Sequence, residues 1–580
     1  MLKAFIRSML FAAIISLLIC LGGCSDNGSA DTAPSPTPTP EVGNEELIIP
    51  DSSGNLPEGI RFEDIIYLRP STEELSEKLR SAAAMIEEDK LTIYDQISFL
   101  LDMNKDYSNF ITMQLYARIM SSIDSSDEFY SAESAFLDSE FPNIEALYKQ
   151  VLQAAASSSH SSQLAGECFG FAALEPFINA AEPSDALTIL KAEEAALISE
   201  YRELISNSSE SADRALEIFI ELVEVRARIA GESGYDNYTD YIYATEHTDY
   251  SADRLDNIFD SISDYVVPVY NKLAIRVLNS NNRHPVDPHT KNRIMNHLGK
   301  VFADMDQDMS DVYSYLLYHG LFSVEKNVPH RFPMSMTAYL PSYRSPFLYV
   351  TMQDSLTDYM TVCHEFGHFY DIFVNGGISA SVDLAETCSQ TMELLAMLGL
   401  RDGLTTKEYK YLYCMEIESV LLNLIYQSLY SRFEHLVYSL PQNQINEASI
   451  EQVASAAISA MGFGSSLTAR DLIVPHLILE PFYVQTYVTS SLVSLEIFFE
   501  EYATRGRGLA IYKSLIYRTA DLDLESFIDL VGLDSPFDED TVREIADSIH
   551  YIVLGSHYFE EGGGEDSASA EPWRLPSLAA

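Results

Sequence analysis

The sequence predicts a mostly α-helical fold that contains one short β element. Apolar residues recur at helical spacing along most of the chain between about residues 60 and 557, as Leu75, Leu79 and Ile86 do. One stretch, Pro346–Met352, looks different because it is aromatic and β-branched, with a proline at its start, and it predicts a strand. A hydrophobic fraction of 47% is enough to bury a sizeable core.

The first residues predict an exported protein. Lys3 and Arg7 precede an apolar run from Met9 to Leu21, which is short for a membrane span and has the form of a secretory signal. The run ends in Leu21-Gly22-Gly23-Cys24, which resembles a bacterial lipoprotein box. That resemblance implies cleavage after residue 23 and a lipid on Cys24 that anchors the protein to the bacterial membrane, outside the cytoplasm. An ordinary signal peptide or an uncleaved anchor is the alternative.

Composition divides the remainder of the chain into three parts. Residues 24–59 are predicted to be the lipidated cysteine and a linker, because Ser25 to Pro40 is rich in Ser, Thr and Pro and cannot build a core. Residues 60–559 are predicted to form the helical domain. Residues 560–580, rich in Gly, Ser and Ala, are predicted to be a loose tail.

Charge and cysteine content exclude other classes of function. With 36 basic and 87 acidic side chains the net charge is −51, so the chain repels phosphate backbones and we expect no nucleic-acid partner. Beyond the leader, Cys168, Cys363, Cys388 and Cys414 form no CxxC pair, which argues against a cysteine zinc site and a disulfide framework. We expect small buried thiols, with a disulfide between Cys363 and Cys388 as the alternative.

Helix signals can be placed in order along the domain. Ser71-Thr72-Glu73-Glu74 is a capping box that predicts a helix start. Apolar stripes predict further helices in four segments, near residues 185–230, 251–280, 406–440 and 483–504. Between residues 356 and 374 the chain has no proline, and Asn375-Gly376-Gly377 is a stop signal, so we expect a helix there.

This predicted helix carries His364-Glu365-Phe366-Gly367-His368. Residues four apart lie on one helix face, so both imidazoles can reach one ion. Zinc accepts imidazole nitrogens and acidifies a bound water, whose proton a carboxylate such as Glu365 can take. The pattern therefore predicts a catalytic zinc site, and two histidines on an ordinary amphipathic helix are the alternative.

A third ligand is needed, and Glu386 is the candidate. It lies in Asp383-Leu384-Ala385-Glu386, followed by Gln390 and Glu393 on the same helical face. A second helix folded back by the Gly-Gly loop would bring this face to the histidines. The alternative is a capping arrangement, with Asp383 as the cap and Glu386 three residues inside the helix.

These two motifs resemble the thimet oligopeptidase and oligoendopeptidase F family of metallopeptidases. The resemblance implies one zinc ion per chain, bound by His364, His368 and Glu386. It implies that Glu365 activates the water and that Glu393 supports a ligand.

A third block, His476 followed by Pro481-Phe482-Tyr483-Val484-Gln485-Thr486-Tyr487-Val488-Thr489-Ser490, is similar to a late segment of oligoendopeptidase F-like enzymes. A tyrosine of that segment donates a hydrogen bond to the oxyanion. Tyr487 is the first choice for this role and Tyr483 the second, while His476 is expected to contact substrate or intermediate. For either tyrosine the alternative is an ordinary core residue.

Two weaker similarities complete the comparison, and the chain departs from the family at Asp371 and in a shorter gap between His368 and Glu386. Arg226 through Tyr238 is similar to a helical segment upstream in these enzymes, and Phe347–Thr351 resembles the edge strand that pairs with substrate. Many members have a histidine where this chain has Asp371.

The family resemblance implies a mostly helical fold that encloses a deep channel, with a small sheet near the zinc site. It implies an endopeptidase for short unstructured peptides. A lipoprotein that only binds peptides and an inactive, peptidase-like scaffold are the alternatives; an intact Glu365 argues against the first, and the complete ligand set argues against the second.

Overall fold

A computed structural model describes residues 46–50, 56, 58–174, 177, 184–206, 212–245, 250–274, 286–377, 381–462 and 467–559. The predicted signal segment 1–23, Cys24, most of the predicted linker 24–59 and the predicted tail 560–580 lie outside these residues. Within the described ranges, no helix combines the length and apolar character needed to cross a membrane.

The N-terminal helices build a hydrophobic core of their own. Their bounds are α1 Thr72–Glu88, α2 Ile93–Ile123, α3 Glu128–Ser157, α4 Ser161–Leu164 and α5 Phe171–Leu174. The Ser71 hydroxyl accepts a hydrogen bond from the Glu74 amide, so the predicted helix start is confirmed. Helix α2 also contributes Met113 and Leu115 to the main core, and it therefore joins the two cores.

The middle of the chain adds helices that belong mainly to the large core. Their bounds are α6 Asp185–Ser206, α7 Ala212–Glu232, α8 Tyr238–Thr245, α9 Ala252–Ser261, α10 Val267–Leu273, α11 Lys291–Met305 and α12 Gln307–His319. The helices predicted near residues 185–230 and 251–280 are confirmed, although each segment contains more than one helix.

A three-stranded sheet follows, with strands β1 Phe322–Lys326, β2 Met336–Leu340 and β3 Ser345–Met352 in the order β1-β3-β2. The predicted strand is confirmed as β3, but its interpretation as the edge strand at Phe347–Thr351 is wrong. Strand β1 pairs with it in parallel and β2 pairs with it antiparallel, so both of its edges are occupied. Among the described residues the edge strand nearest the chemistry is β2.

The C-terminal half is helical again. Its bounds are α13 Asp358–Asn375, α14 Val382–Gly399, α15 Thr406–Tyr438, α16 Glu447–Ala460, α17 Ala469–Leu472, α18 Pro475–Leu479, α19 Gln485–Ala503, α20 Arg507–Ile516, α21 Leu524–Val531 and α22 Glu539–Leu554. Helix α14 packs between α13 and α19, while α13 also packs on β2 and β3. This arrangement brings the three sequence motifs together, and the mostly α fold with a small sheet beside the site is confirmed.

Candidate active site

Helix α13 carries the first motif and closely matches the predicted span of 356–374. At its start the Asp358 carboxylate accepts hydrogen bonds from the amides of Gln353 and Ser355, at 2.8 and 3.1 Å. It ends at Gly376, whose φ of 65° lies in the left-handed region that glycine adopts at little cost. Asp358 therefore supplies the start signal, and the predicted stop signal is confirmed.

The approach of helices α13 and α14 depends on Gly367. A Cβ at this position would lie 2.6 Å from the Ser389 Cα and 2.8 Å from the Cys388 carbonyl oxygen. Carbon atoms normally approach no closer than about 3.5 Å. The glycine inside the motif therefore lets the second helix lie directly against the first.

The close packing gathers two imidazoles and one carboxylate. The Nε2 atoms of His364 and His368 are 3.2 Å apart, and Glu386 Oε2 lies 4.0 and 3.8 Å from them. Ligand atoms bound to zinc at ~2.0–2.1 Å in tetrahedral geometry are about 3.3 Å apart. The three side chains are buried and form the group of possible metal ligands found in the described part of the chain. Their donor types and spacing fit zinc.

Glu393 orients the first of these histidines. Its Oε1 lies 2.6 Å from His364 Nδ1, so with the proton on Nδ1 the Nε2 lone pair faces the other candidate ligands. Burial raises the pKa of Glu393 to about 8, and the neighbouring Glu416 partly opposes that rise with a hydrogen bond. The predicted supporting position of Glu393 is thus matched by its geometry.

Glu365 lies beside the cluster and is held by the sheet. The Thr337 hydroxyl, on β2, is 2.8 Å from Glu365 Oε2 and 3.0 Å from the Glu365 carbonyl oxygen. Burial raises the pKa of Glu365 to about 7, although His364 and the Thr337 hydrogen bond act in the opposite direction. A carboxylate with such a pKa can exchange a proton near neutral pH.

Thr337 is the site residue that sequence reasoning missed. The signal available was the short stretch Met336–Leu340, which is β-branched and aromatic in part and precedes Pro341. Nothing in that stretch indicates that a hydroxyl would meet a glutamate 28 residues later.

The third motif contacts Glu386 through Oε1, whereas the two histidines lie nearest to Oε2. The Tyr483 hydroxyl donates to Glu386 Oε1 at 2.7 Å, and the Tyr487 ring meets Tyr483 edge-on at 5.1 Å. His476 stacks on Tyr483 at 5.8 Å, and among the described residues neither of its ring nitrogens has a hydrogen-bond partner. Burial lowers the pKa of His476 to about 4, so the ring is neutral at pH 7.

The tyrosines thus border the ligand set. Burial raises the pKa of Tyr487 well above its ordinary value, and Tyr483 and Glu386 add to that rise, so Tyr487 remains a protonated donor. Tyr483 is hydrogen-bonded to the carboxylate of Glu386. The roles of Tyr487, Tyr483 and His476 stay predictions.

Asp383 is not the helix cap that the alternative for Glu386 required. Ser381 caps α14 and accepts a hydrogen bond from the Leu384 amide. The buried Asp383 carboxylate instead accepts hydrogen bonds from the hydroxyls of Tyr250, at 3.0 Å, and Thr489. Glu386 and Asp383 therefore do not form a capping pair.

Asp371, at the position of the departure, has a partner inside the protein. Arg518 donates to its two carboxylate oxygens at 2.6 and 3.0 Å, and both side chains are buried. Asn375 adds a hydrogen bond at 2.8 Å. This contact ties helix α13 to the segment just after α20.

The cysteines follow the simpler expectation. Cys363, Cys388 and Cys414 are buried and free, and Cys168 is partly buried and free. The alternative disulfide between Cys363 and Cys388 is not formed.

Known proteins share the fold of this chain, and a family model matches its N-terminal part. Residues 62–173 match the family model described as the Peptidase M3 N-terminal domain. Pz peptidase A with an inhibitor superposes with a TM-score of 0.70 at 19% identity, covering 84% of this chain and 98% of the other. A protein assigned as oligoendopeptidase F from Bacillus anthracis str. Ames gives a TM-score of 0.67 at 21% identity, covering 85% and 98%.

The chain has the fold of these peptidases. A search of curated protein sequences found no match. The domain match and the fold, together with the histidine and glutamate cluster, support a metallopeptidase.

Proposed function

We propose that the protein is a zinc-dependent endopeptidase that hydrolyses short unstructured peptides outside the cytoplasm. The observation that carries this proposal is the joint placement of His364, His368 and Glu386 around one point, with Glu365 beside it. A protein that only binds peptides has no use for a buried carboxylate next to a complete ligand set.

Each residue of this site would have its own role in catalysis. His364, His368 and Glu386 would hold zinc, which when bound polarises the scissile carbonyl and makes a water molecule acidic. Glu365, oriented by Thr337, would take the proton of that water and pass it to the leaving amine. Tyr487 would donate a hydrogen bond to the developing oxyanion, and such electrostatic stabilisation is usually the larger contribution.

The sheet suggests how substrate would be aligned. Strand β2 has β3 on one side and, among the described strands, none on the other. A peptide added along Met336–Leu340 would use main-chain hydrogen bonds and pass the Thr337–Glu365 contact. Such binding requires an extended chain and depends little on side chains. This supports broad preference among unstructured peptides, and a channel enclosed by the surrounding helices would exclude folded proteins.

Location is the second part of the proposal. The support is the leader and the lipoprotein-like Leu21-Gly22-Gly23-Cys24, followed by a Pro-rich spacer. A lipid on Cys24 would hold the helical domain near the membrane surface.

The experiment uses the purified chain with stoichiometric zinc, a ladder of peptide lengths and a stable folded protein. We expect cleavage of the short peptides and essentially none of the folded protein, with activity lost in a chelator. Glu365→Gln is the matched control, because it should retain zinc and lose activity. Rapid digestion of the folded protein with the peptides ignored, or an undiminished rate in Glu365→Gln, would contradict the proposal.

A further inference from the structure

A fully buried arginine outside the ligand set holds the segment that carries the site's tyrosines. Arg226 lies in α7 and has no exposed surface. Its guanidinium donates to the carbonyl oxygens of Leu477 at 3.1 Å and Ile478 at 2.6 Å, and to the Tyr438 hydroxyl at 2.8 Å. Its Nε donates to Glu194 at 2.7 Å.

The two carbonyl acceptors, those of Leu477 and Ile478, lie at the end of a very short helix. Helix α18 has five residues and begins with Pro475 and His476. The last carbonyl groups of a helix have no partner within it, and leaving them buried and unpaired is costly. The planar fork of an arginine can reach two such carbonyls together, which the single ammonium of a lysine cannot do in the same geometry.

The chain just beyond α18 adopts a conformation that needs support. Phe482 has a φ of 62°, which is unfavourable for a bulky residue. Its amide donates to the buried carboxylate of Glu434 at 2.9 Å. Two buried side chains, Arg226 and Glu434, thus hold the backbone of this segment at residues 477–478 and at residue 482.

What the segment presents is the tyrosine side of the site. His476 precedes the two carbonyls that Arg226 holds, stacks on Tyr483 at 5.8 Å and meets Tyr487 at 6.0 Å. Tyr483 in turn is 2.7 Å from Glu386. A shift of α18 would therefore be passed to both tyrosines.

We propose that Arg226 is a positioning residue, which sets the placement of His476, Tyr483 and Tyr487 by holding the carbonyls at the end of α18. This inference rests on the proposed peptidase function for its kinetic consequence. Its structural consequence, the local rigidity of residues 475–487, is independent of the proposed function.

The test is Arg226→Lys in the full chain. We expect amide hydrogen exchange in residues 475–487 to become at least about tenfold faster while zinc content is retained. Misplacement of a catalytic group can cost about 10²-fold, so we expect a fall in kcat of that order, with KM changed less. The loss should be smaller in a Tyr487→Phe background, because part of the effect of Arg226 would act through Tyr487.

Arg331→Lys is the matched control for the exchange measurement. Arg331 is also buried and donates to two backbone carbonyls, those of Ser323 and Val350, at 3.1 and 2.9 Å. Its replacement should leave exchange in residues 475–487 unchanged. Equal acceleration in both variants would show general loosening and overturn the proposal.

Other outcomes separate this inference from the proposed function. Unchanged exchange at 475–487 in a folded Arg226→Lys protein, or full additivity with Tyr487→Phe, would overturn it. If Arg226→Lys does not fold, Tyr438→Phe removes one acceptor of the guanidinium and should accelerate exchange in the same segment; no acceleration would overturn it. Failure of the wild-type protein to cleave any peptide would reject the proposed function, and the exchange result would still decide the role of Arg226.

Discussion

Replacing Gly367 by alanine tests whether the close approach of α13 and α14 creates the metal site. The added Cβ would lie 2.6 Å from the Ser389 Cα, and carbon atoms need about 3.5 Å, so one helix must move by about 0.9 Å. Metal–ligand distances tolerate only about 0.2 Å. The displacement is therefore several times larger than the ligand set can accept.

Two effects on stability oppose each other in this variant. Overpacking typically costs about 1–3 kcal/mol, while alanine is favoured over glycine within a helix by roughly 0.5–1 kcal/mol. We expect the free energy of unfolding of the zinc-free protein to fall by about 1–2 kcal/mol. Zinc affinity should fall by about 10–100-fold, the usual effect of disturbing groups around a metal ligand.

Urea unfolding of the zinc-free protein and zinc titration against a competing chelator would measure the two effects. Gly231→Ala is the control, because Gly231 is also in a helix and a Cβ there would meet nothing within 4 Å. That variant should keep its zinc affinity and be as stable as the wild type or more so. Wild-type zinc affinity and stability in Gly367→Ala would refute the reasoning.

Three further predictions concern other parts of the protein. Tyr487→Phe should lower kcat by about 10²–10³ with a much smaller change in KM; an unchanged kcat together with a loss in Tyr483→Phe would transfer the role to Tyr483. Burial alone would raise the pKa of Glu408, but hydrogen bonds from His289 and Thr405 lower it from 4.5 to about 2. The stability this gives is present above about pH 4.5 and is lost as the pH falls towards 2, so urea midpoints of wild type and Glu408→Gln should converge over that range; a constant difference would contradict it. Cys24→Ser should move the protein from the membrane fraction to the soluble fraction, and a mature protein that stays membrane-bound would contradict the lipid anchor.

Local signals in the sequence were sufficient for several elements and for bringing the three candidate ligands together. The helix predicted at 356–374 is observed at Asp358–Asn375, because its breaker Gly376 acts within one turn. Spacing of four residues placed His364 and His368 on one face, and the face of Glu386 met them once the second helix folded back. These predictions needed only periodicity and one turn.

Contacts between residues far apart in the chain could not be predicted from the sequence. The pattern of Phe347–Thr351 indicates a strand, but it carries no information on which strands pair with it, and the strand proved to be central. Asp383 looked like a cap because caps are local, yet its partners Tyr250 and Thr489 are 133 and 106 residues away. The Asp371–Arg518 pair, separated by 147 residues, escaped prediction for the same reason.

The most direct test of the central claim is the zinc content of purified variants. We expect about one zinc per chain in the wild type and in Glu365→Gln, since Glu365 is a base and no ligand, and substantial loss in His364→Ala and Glu386→Ala. Full zinc in Glu386→Ala, or none in the wild type after zinc loading, would contradict the ligand set on which the proposed function rests.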